Sequence, residues 1–357
     1  MLSRIGALLL LGIAPVFAQS DLEQRMDAAV QRIRMEVPGL SVAVTIEGKT
    51  TYSKGFGTTS ATATTPPTPD TQYRLASVSK AITAVAVLKL VEQGRVELDR
   101  PARDYCPALA PLDDAPTVRH FLLHQSGMRH TSDDEDETIK GEYPWLAPAL
   151  TANIAKERLR FAPGSKTLYT SWGYAALGCV IETVSGLSYP DFVRQQIFEP
   201  AQMRDSTFDS PSYASPTFSP GFVMRAGRPQ PSVVVDTRFK APASGVISTV
   251  NDLSRFAIAL MEKRLLNEAM FREMTSARLA PGDERPTFTL GWIIGPANLG
   301  TPGFNINGSM EGTTAILAIL PERRISVALL TNRERFVPGV MPIVREALRA
   351  SVGLPPE

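Results

Sequence analysis

Residues 77–93 read SVSKAITAVAVLKLVEQ and are followed by Gly94. The stretch has the length and composition of a helix, with Gly94 as its stop. Its middle is apolar on most faces, and a helix of that kind has to be enclosed by the rest of the domain. The chain must therefore supply structure on several sides of it. With 357 residues and 43% hydrophobic content it is long enough to do so. The 29 prolines and 25 glycines imply many turns, which excludes a simple helical bundle. The 37 basic and 36 acidic residues leave a net charge of +1. That balance offers no basic excess for a phosphate backbone and argues against nucleic-acid binding.

Around this helix the pattern changes twice. Residues 21–36 carry Leu22, Met26, Val30 and Ile33 at spacings of three and four, which predicts an amphipathic helix ended by Pro38-Gly39. Residues 40–46 and 50–56 read as two strands joined at Glu47-Gly48. Residues 100–240 show short helices, prolines and loops without strand alternation. Strand character returns at 288–294, 313–320 and 325–331, and 340–351 closes as a helix with Pro342 in its first turn. Strands at both ends and helices between them predict an α/β fold: one antiparallel sheet built from both termini, with a helical subdomain inserted.

The first 18 residues, MLSRIGALLLLGIAPVFA, have a basic start, an apolar run of about 13 residues and a small residue at the end. They read as a secretory signal peptide, too short to cross a bilayer core of about 30 Å. The expectation is an exported, periplasmic or extracellular protein without stable membrane insertion. Export permits a disulfide between Cys106 and Cys179. A chain of this length does not need one, and Cys179, within GYAALGCVIETV, reads more simply as a small core residue. Two cysteines and three histidines without ligand spacing predict no metal site, and no cofactor is implied.

Lys80 is the chemical anomaly. It sits one turn into the buried helix, and burial disfavours its charged form. Ser77 lies three residues earlier on the same face, at the helix start, where backbone N–H groups favour developing negative charge. Ser77-Val78-Ser79-Lys80 fits S-x-x-K, the nucleophile and amine of an acyl-transfer enzyme. With 26 serines and 9 lysines, chance alone supplies about 0.7 such matches, so context has to promote this one. Ser79 points elsewhere on the helix. A second candidate, Tyr169, follows the Pro163-Gly164 turn; with Lys80 it would share the Ser77 proton, either residue or the pair serving as base.

Five segments together resemble the serine β-lactamase and penicillin-binding-protein superfamily, in particular class C-like hydrolases and β-lactamase-like serine proteases. They are YRLASVSKAITAVAVLKLVEQGRVELDRPARDY at 73–105, TVRHFLLHQSGMRH at 117–130, FAPGSKTLYTSWGYAALGCVIETVSG at 161–186, APASGVISTVNDLSRF at 241–256 and TTAILAILPERRISVALLTN at 313–332. The resemblance spans nearly the whole mature chain, about 19–357. It implies a sheet part at 19–76 and 245–357 and a helical part at 77–244. It also implies Ser77 as acylated nucleophile, Lys80 as its amine partner and Tyr169 as proton carrier. The family's Tyr-x-Asn is here Tyr169-Thr170-Ser171, which alters a substrate contact at Ser171.

The third motif, Lys-Thr-Gly or His-x-Gly in relatives, falls on Ile306-Asn307-Gly308-Ser309. Ile306 removes a cation, and one lost charge-assisted hydrogen bond costs about 1.5–3 kcal/mol. The oxyanion site would survive on the backbone N–H groups of Ser77 and Ser309, with Asn307 and Gly308 beside it. The function expected is an exported serine hydrolase acting on an ester or amide carbonyl of a small molecule or peptide. The alternatives are a dedicated β-lactamase or D,D-peptidase, and a non-catalytic protein that binds peptidoglycan, penicillin or a partner. His124 reads as a loop brace, His120 and His130 as solvent or loop histidines, the acidic run 133–137 as a solvated loop, and Trp172 and Tyr174 as residues of the cleft or of the seam between sheet and helices.

Overall fold

The computed structural model describes residues 14–33, 38–60, 65–112, 114–131, 146–154, 158–226, 228–232, 236–295, 297–334 and 337–356. Its centre is a seven-stranded antiparallel sheet. The strands are β1 (Gly39–Ile46), β2 (Lys49–Gly57), β3 (Phe288–Thr289), β4 (Trp292–Ile294), β5 (Phe304–Met310), β6 (Thr313–Leu320) and β7 (Ile325–Thr331). Their order is β2-β1-β7-β6-β5-β4-β3, so the two ends of the chain meet at the β1–β7 pair, with Val44 opposite Val327. Glu47 and Gly48 close the β1–β2 hairpin with φ of 53° and 76°, the left-handed geometry a two-residue hairpin turn requires.

The central strands are buried on both faces, which explains their unbroken apolar sequences. On β6, Ala315, Leu317 and Ile319 face one core, and Ile316, Ala318 and Leu320 face another. The second core is covered by α1 (Ala14–Ile33) and the C-terminal helix α5 (Val337–Ser351), through Met26, Val30, Val340 and Val344. The first core holds α2 (Ser79–Glu92), α3 (Trp172–Ser185) and α4 (Val250–Met261). Helix α2 has eleven of its fourteen residues buried, as its all-round apolar character demands. Thr249 caps α4 by accepting from the Asp252 amide at 3.0 Å, while the Asp252 carboxylate reaches away to the Asp205 amide and the Ser206 hydroxyl.

The structure departs from the sequence reading at several points. The segment Phe304–Met310 is a full strand, although its Asn, Gly and Ser content hides this. Short strands occur within the helical region at Thr207–Phe208, Phe222–Arg225 and Arg228–Pro231. Helix α5 starts at Val337, so Pro342 lies inside it and not in its first turn. Cys106 and Cys179 form a disulfide, with Cα atoms 5.7 Å apart. Cys179 does face the core, as a small residue would. The chain returns Cys106 to the same depth from 73 positions away, a meeting that local sequence cannot reveal. Residues 1–13 of the leader and the acidic run 133–137 lie outside the described residues.

Candidate active site

The strand Tyr73–Arg74 leads into the turn Ala76–Val78 and then into α2. Arg74 holds the approach. Its guanidinium pairs with buried Asp209 at 2.7 Å, and its carbonyl accepts from Thr313 Oγ1 at 2.8 Å. Ala76 has φ +44°, a strained conformation for a residue with a Cβ, immediately before Ser77. Ala76 and Val78 are buried, whereas Ser77 is half-buried.

Lys80 is fully buried. Its Nζ lies 3.0 Å from Ser77 Oγ, 3.2 Å from Ser171 Oγ and 3.0 Å from the carbonyl of Ala243, an arrangement that suits the three hydrogens of an ammonium. Tyr169 arrives from the Pro163-Gly164 loop and donates its hydroxyl to Ser77 Oγ at 2.6 Å, with its ring centroid 4.8 Å from Lys80 Nζ. Burial pushes the Tyr169 phenol up to about 12, a rise partly offset by the Ser77 hydrogen bond and the charge of Lys240. Ser79 faces away and accepts from the Val246 amide at 3.1 Å.

Histidines frame the phenol. His124 is buried, packs at a tilt of 37° against Tyr169 with centroids 4.5 Å apart, and accepts from the Thr170 amide through Nδ1 at 3.1 Å. Burial, with help from the Lys80 charge and from His130, holds its pKa well below the ordinary histidine value. It is therefore neutral and positions the Tyr169 segment. His130 is exposed, yet its Nδ1 accepts from the Ser171 amide at 3.0 Å and its ring lies 5.3 Å from that of Tyr169. The sequence suggests a solvent or loop histidine; the structure puts His130 beside Ser171 and Tyr169, 41 residues from its hydrogen-bond partner. His120 is structural, its Nδ1 accepting from the Thr117 amide in a capping box. Trp172 and Tyr174 are wholly buried, so they fill the seam and do not line the cleft.

Strand β5 closes the other side. A Cβ on Gly308 would stand 2.4 Å from the Leu75 carbonyl oxygen and 2.7 Å from Ser77 N, so only glycine lets β5 lie against the turn that carries Ser77. The β4–β5 pairing ends at Asn305 opposite Ile293, which leaves the outer edge of β5 beyond that point unpaired by β4. Ile306 shares the face of Gly308 and is buried in the helical-side core. Alternation turns the side chains of Asn307 and Ser309 to the opposite face, so on the Ser77 side these two residues offer backbone. Among the described residues no cluster of His, Cys, Asp and Glu is arranged to hold a metal.

This geometry accompanies a match over residues 22–351 to the family model described as Beta-lactamase. The chain belongs to the beta-lactamase family. Protein flp of Staphylococcus aureus strain MW2 is 22% identical over 332 residues, covering 90% of this chain and 66% of the relative. The human serine beta-lactamase-like protein LACTB, mitochondrial, is 26% identical over 367 residues, covering 83% of this chain and 65% of the relative. The chain thus spans about two thirds of the length of these curated relatives. Among solved structures, the octameric penicillin-binding protein homologue from Pyrococcus abyssi superposes with a TM-score of 0.81 at 28% identity, over 95% of this chain and 78% of that one. A class C beta-lactamase gives 0.78 at 21% identity over 95% and 98%. EstCE1, described as a hydrolase with promiscuous acyltransferase activity, gives 0.79 at 20% identity over 94% and 100%. The superpositions show a shared mixed α/β fold around a large antiparallel sheet.

One group at the site, the Ala243 carbonyl, has no role assigned from the sequence. It lies in APASG, which the pattern identifies only as a return to the sheet.

Proposed function

We propose that the protein is an exported serine hydrolase that cleaves an ester or amide carbonyl through an acyl-enzyme on Ser77. One observation carries this reading: a half-buried Ser77 Oγ lies within hydrogen-bond reach of both Lys80 Nζ, at 3.0 Å, and Tyr169 Oη, at 2.6 Å. In acylation the Lys80–Tyr169 pair, in the microstate that holds one proton fewer than ammonium plus phenol, takes up the Ser77 proton as Oγ bonds to the carbonyl carbon and the π pair moves to oxygen. The backbone N–H groups of Ser77 and Ser309 stabilise that oxygen. The pair then protonates the leaving group, and water repeats the sequence to release the acid. A phenol near 12 suits the acid role; its action as base depends on its coupling to Lys80.

Ile306 directs the reading towards substrates without a carboxylate beside the scissile bond, and so away from a dedicated β-lactamase or D,D-peptidase. The same replacement favours a second reading, a protein that is acylated and not released. Export is supported by the leader-like first 18 residues and by the Cys106–Cys179 disulfide, a bond that persists in oxidising compartments. No helix among the described residues is long and apolar enough to cross a membrane.

A panel of esters, amides, D-amino-acid peptides and β-lactams tests the proposal. Turnover of a neutral ester that disappears in Ser77→Ala is the expected result. Acylation without turnover on every class would favour the binding reading, and turnover that survives Ser77→Ala would refute the hydrolase mechanism.

A further inference from the structure

A second recess lies where the helix Glu268–Thr275 passes β3, β4 and β5, and its lining shares no residue with the Ser77 site. It measures about 500 Å³, within the range of small-molecule sites. Phe271 from the helix and Phe304 from β5 meet edge to face there, with centroids 6.2 Å apart, and give it an aromatic base. Two cations line it from the helix side. Lys263 Nζ stands over the Phe271 ring, 3.3 Å from its centroid, and Arg272 is exposed on the helix. Glu268 comes no closer to Lys263 than 3.7 Å and is 63% exposed, so water screens the pair. From a different segment, the turn after β6, comes an anion: Glu322, whose carboxylate accepts from Thr301 Oγ1 at 3.1 Å. The Thr289 side chain also lines the recess; it is 4% exposed, and its hydroxyl has no hydrogen-bond partner. Trp292, opposite Thr289 in the β3–β4 pairing and 4.9 Å from the Phe304 ring, likewise leaves Nε1 without a partner. Buried polar groups are nearly always satisfied, so two orphans side by side point to a polar ligand.

We propose that this recess binds an aromatic amino acid as its zwitterion. The ring packs on Phe271 and Phe304, the carboxylate faces Lys263 and Arg272, the ammonium faces Glu322, and the Thr289 hydroxyl gains a partner. Each alternative leaves a group unmatched. A purely apolar ligand strips water from charges of both signs and gives nothing back. An aromatic acid without an amine leaves Glu322 unpaired, and an aromatic amine without an acid leaves the two cations unpaired. The proposal is independent of the Ser77 acyl-enzyme reading, because the two sites share no lining residue.

The test is isothermal titration calorimetry on the full chain carrying Ser77→Ala, so that chemistry at Ser77 adds no heat. The probes are phenylalanine, phenylalanine amide and N-acetylphenylalanine. Phenylalanine should bind one to one with a Kd of about 0.1–1 mM, as suits a ligand of its size. The amide, which lacks the carboxylate, and the acetyl derivative, which lacks the ammonium, should each bind about 10-fold more weakly or worse. Arg272→Ala and Glu322→Gln should each weaken phenylalanine by about 5- to 10-fold and leave Tm unchanged, since both side chains are exposed. Thr289→Val keeps the shape and removes the orphan hydroxyl; it should hold or raise Tm and still weaken binding by about 3- to 10-fold, a split that a merely structural threonine would not give. No saturable heat with phenylalanine up to about 10 mM would overturn the proposal. Equal affinity for the three probes would also overturn it, as would unaltered affinity in both charge variants, which would place the bound probe elsewhere.

Discussion

Gly308→Ala probes the contact that brings β5 against the nucleophile turn. The added Cβ would sit 2.4 Å from the Leu75 carbonyl oxygen, 2.7 Å from Ser77 N and 3.0 Å from Val78 N, against a closest approach of 3.0 Å for real Cβ atoms. The shortfall at Leu75 is therefore about 0.6 Å, and all three obstacles are backbone with no rotamer to yield. Forcing such a contact costs about 1–3 kcal/mol. In a chain of this size that lowers Tm by about 1–4 °C. The larger effect is on chemistry. Relief requires β5 and the Ser77 turn to separate, and misplacements approaching 1 Å cost about 100-fold in rate. Fluorophosphonate labelling should slow by about 10- to 100-fold while circular dichroism stays native. Gly94→Ala is the control. Gly94, unlike Gly308, has positive φ, +68°, and nothing lies within 4 Å of its added Cβ, so it should lose stability and keep full reactivity. A Gly308→Ala protein that labels at the wild-type rate would refute the placement of β5 beside Ser77.

Three further outcomes follow from the same structure. Reducing or removing the Cys106–Cys179 bridge frees a 73-residue separation, worth about 4 kcal/mol in the chain-entropy treatment; urea unfolding of Cys106→Ala/Cys179→Ala should show most of that loss. His124 stays neutral in the folded state, whereas the unfolded chain takes up a proton near pH 6.5. The unfolded state thus binds more protons below that value, and stability falls as pH drops from about 6.5 towards the lower folded pKa, by at most about 1.4 kcal/mol per unit from this residue. Comparing denaturant midpoints at pH 7 and 5 should give a smaller drop for His124→Asn than for wild type. Ile306→Lys should raise kcat/KM by about 10-fold or more for a substrate with a carboxylate near the scissile bond and leave a neutral ester little changed; equal effects on both would mean that the residue does not face bound substrate.

The sheet was readable where burial on both faces writes continuous apolar runs, as in AILAIL of β6 and VALL of β7. It was not readable in FNINGSM, whose residues have low strand propensity and whose place is set by pairing with β6, Gly308 opposite Ala315. At the site the same division holds. Ser77 and Lys80 are one helical turn apart, so local spacing brings them together. Tyr169 lies 92 positions from Ser77; the Pro163-Gly164 turn makes it a candidate, and only the resemblance ties it to Ser77. The contacts of Lys80 with Ser171 and Ala243, of His130 with Ser171, and of Cys106 with Cys179 join segments that no periodicity links. These long-range meetings depend on how the helical part packs on the sheet, which is a property of the whole chain.

The hydroxyl of residue 77 can be interrogated directly by intact-mass spectrometry after fluorophosphonate treatment, followed by peptide mapping. The account predicts one adduct, on Ser77, with no labelling of Ser79 or Ser171 and strong slowing in Lys80→Met and Tyr169→Phe. An adduct elsewhere on folded protein, or an unlabelled Ser77, would contradict it.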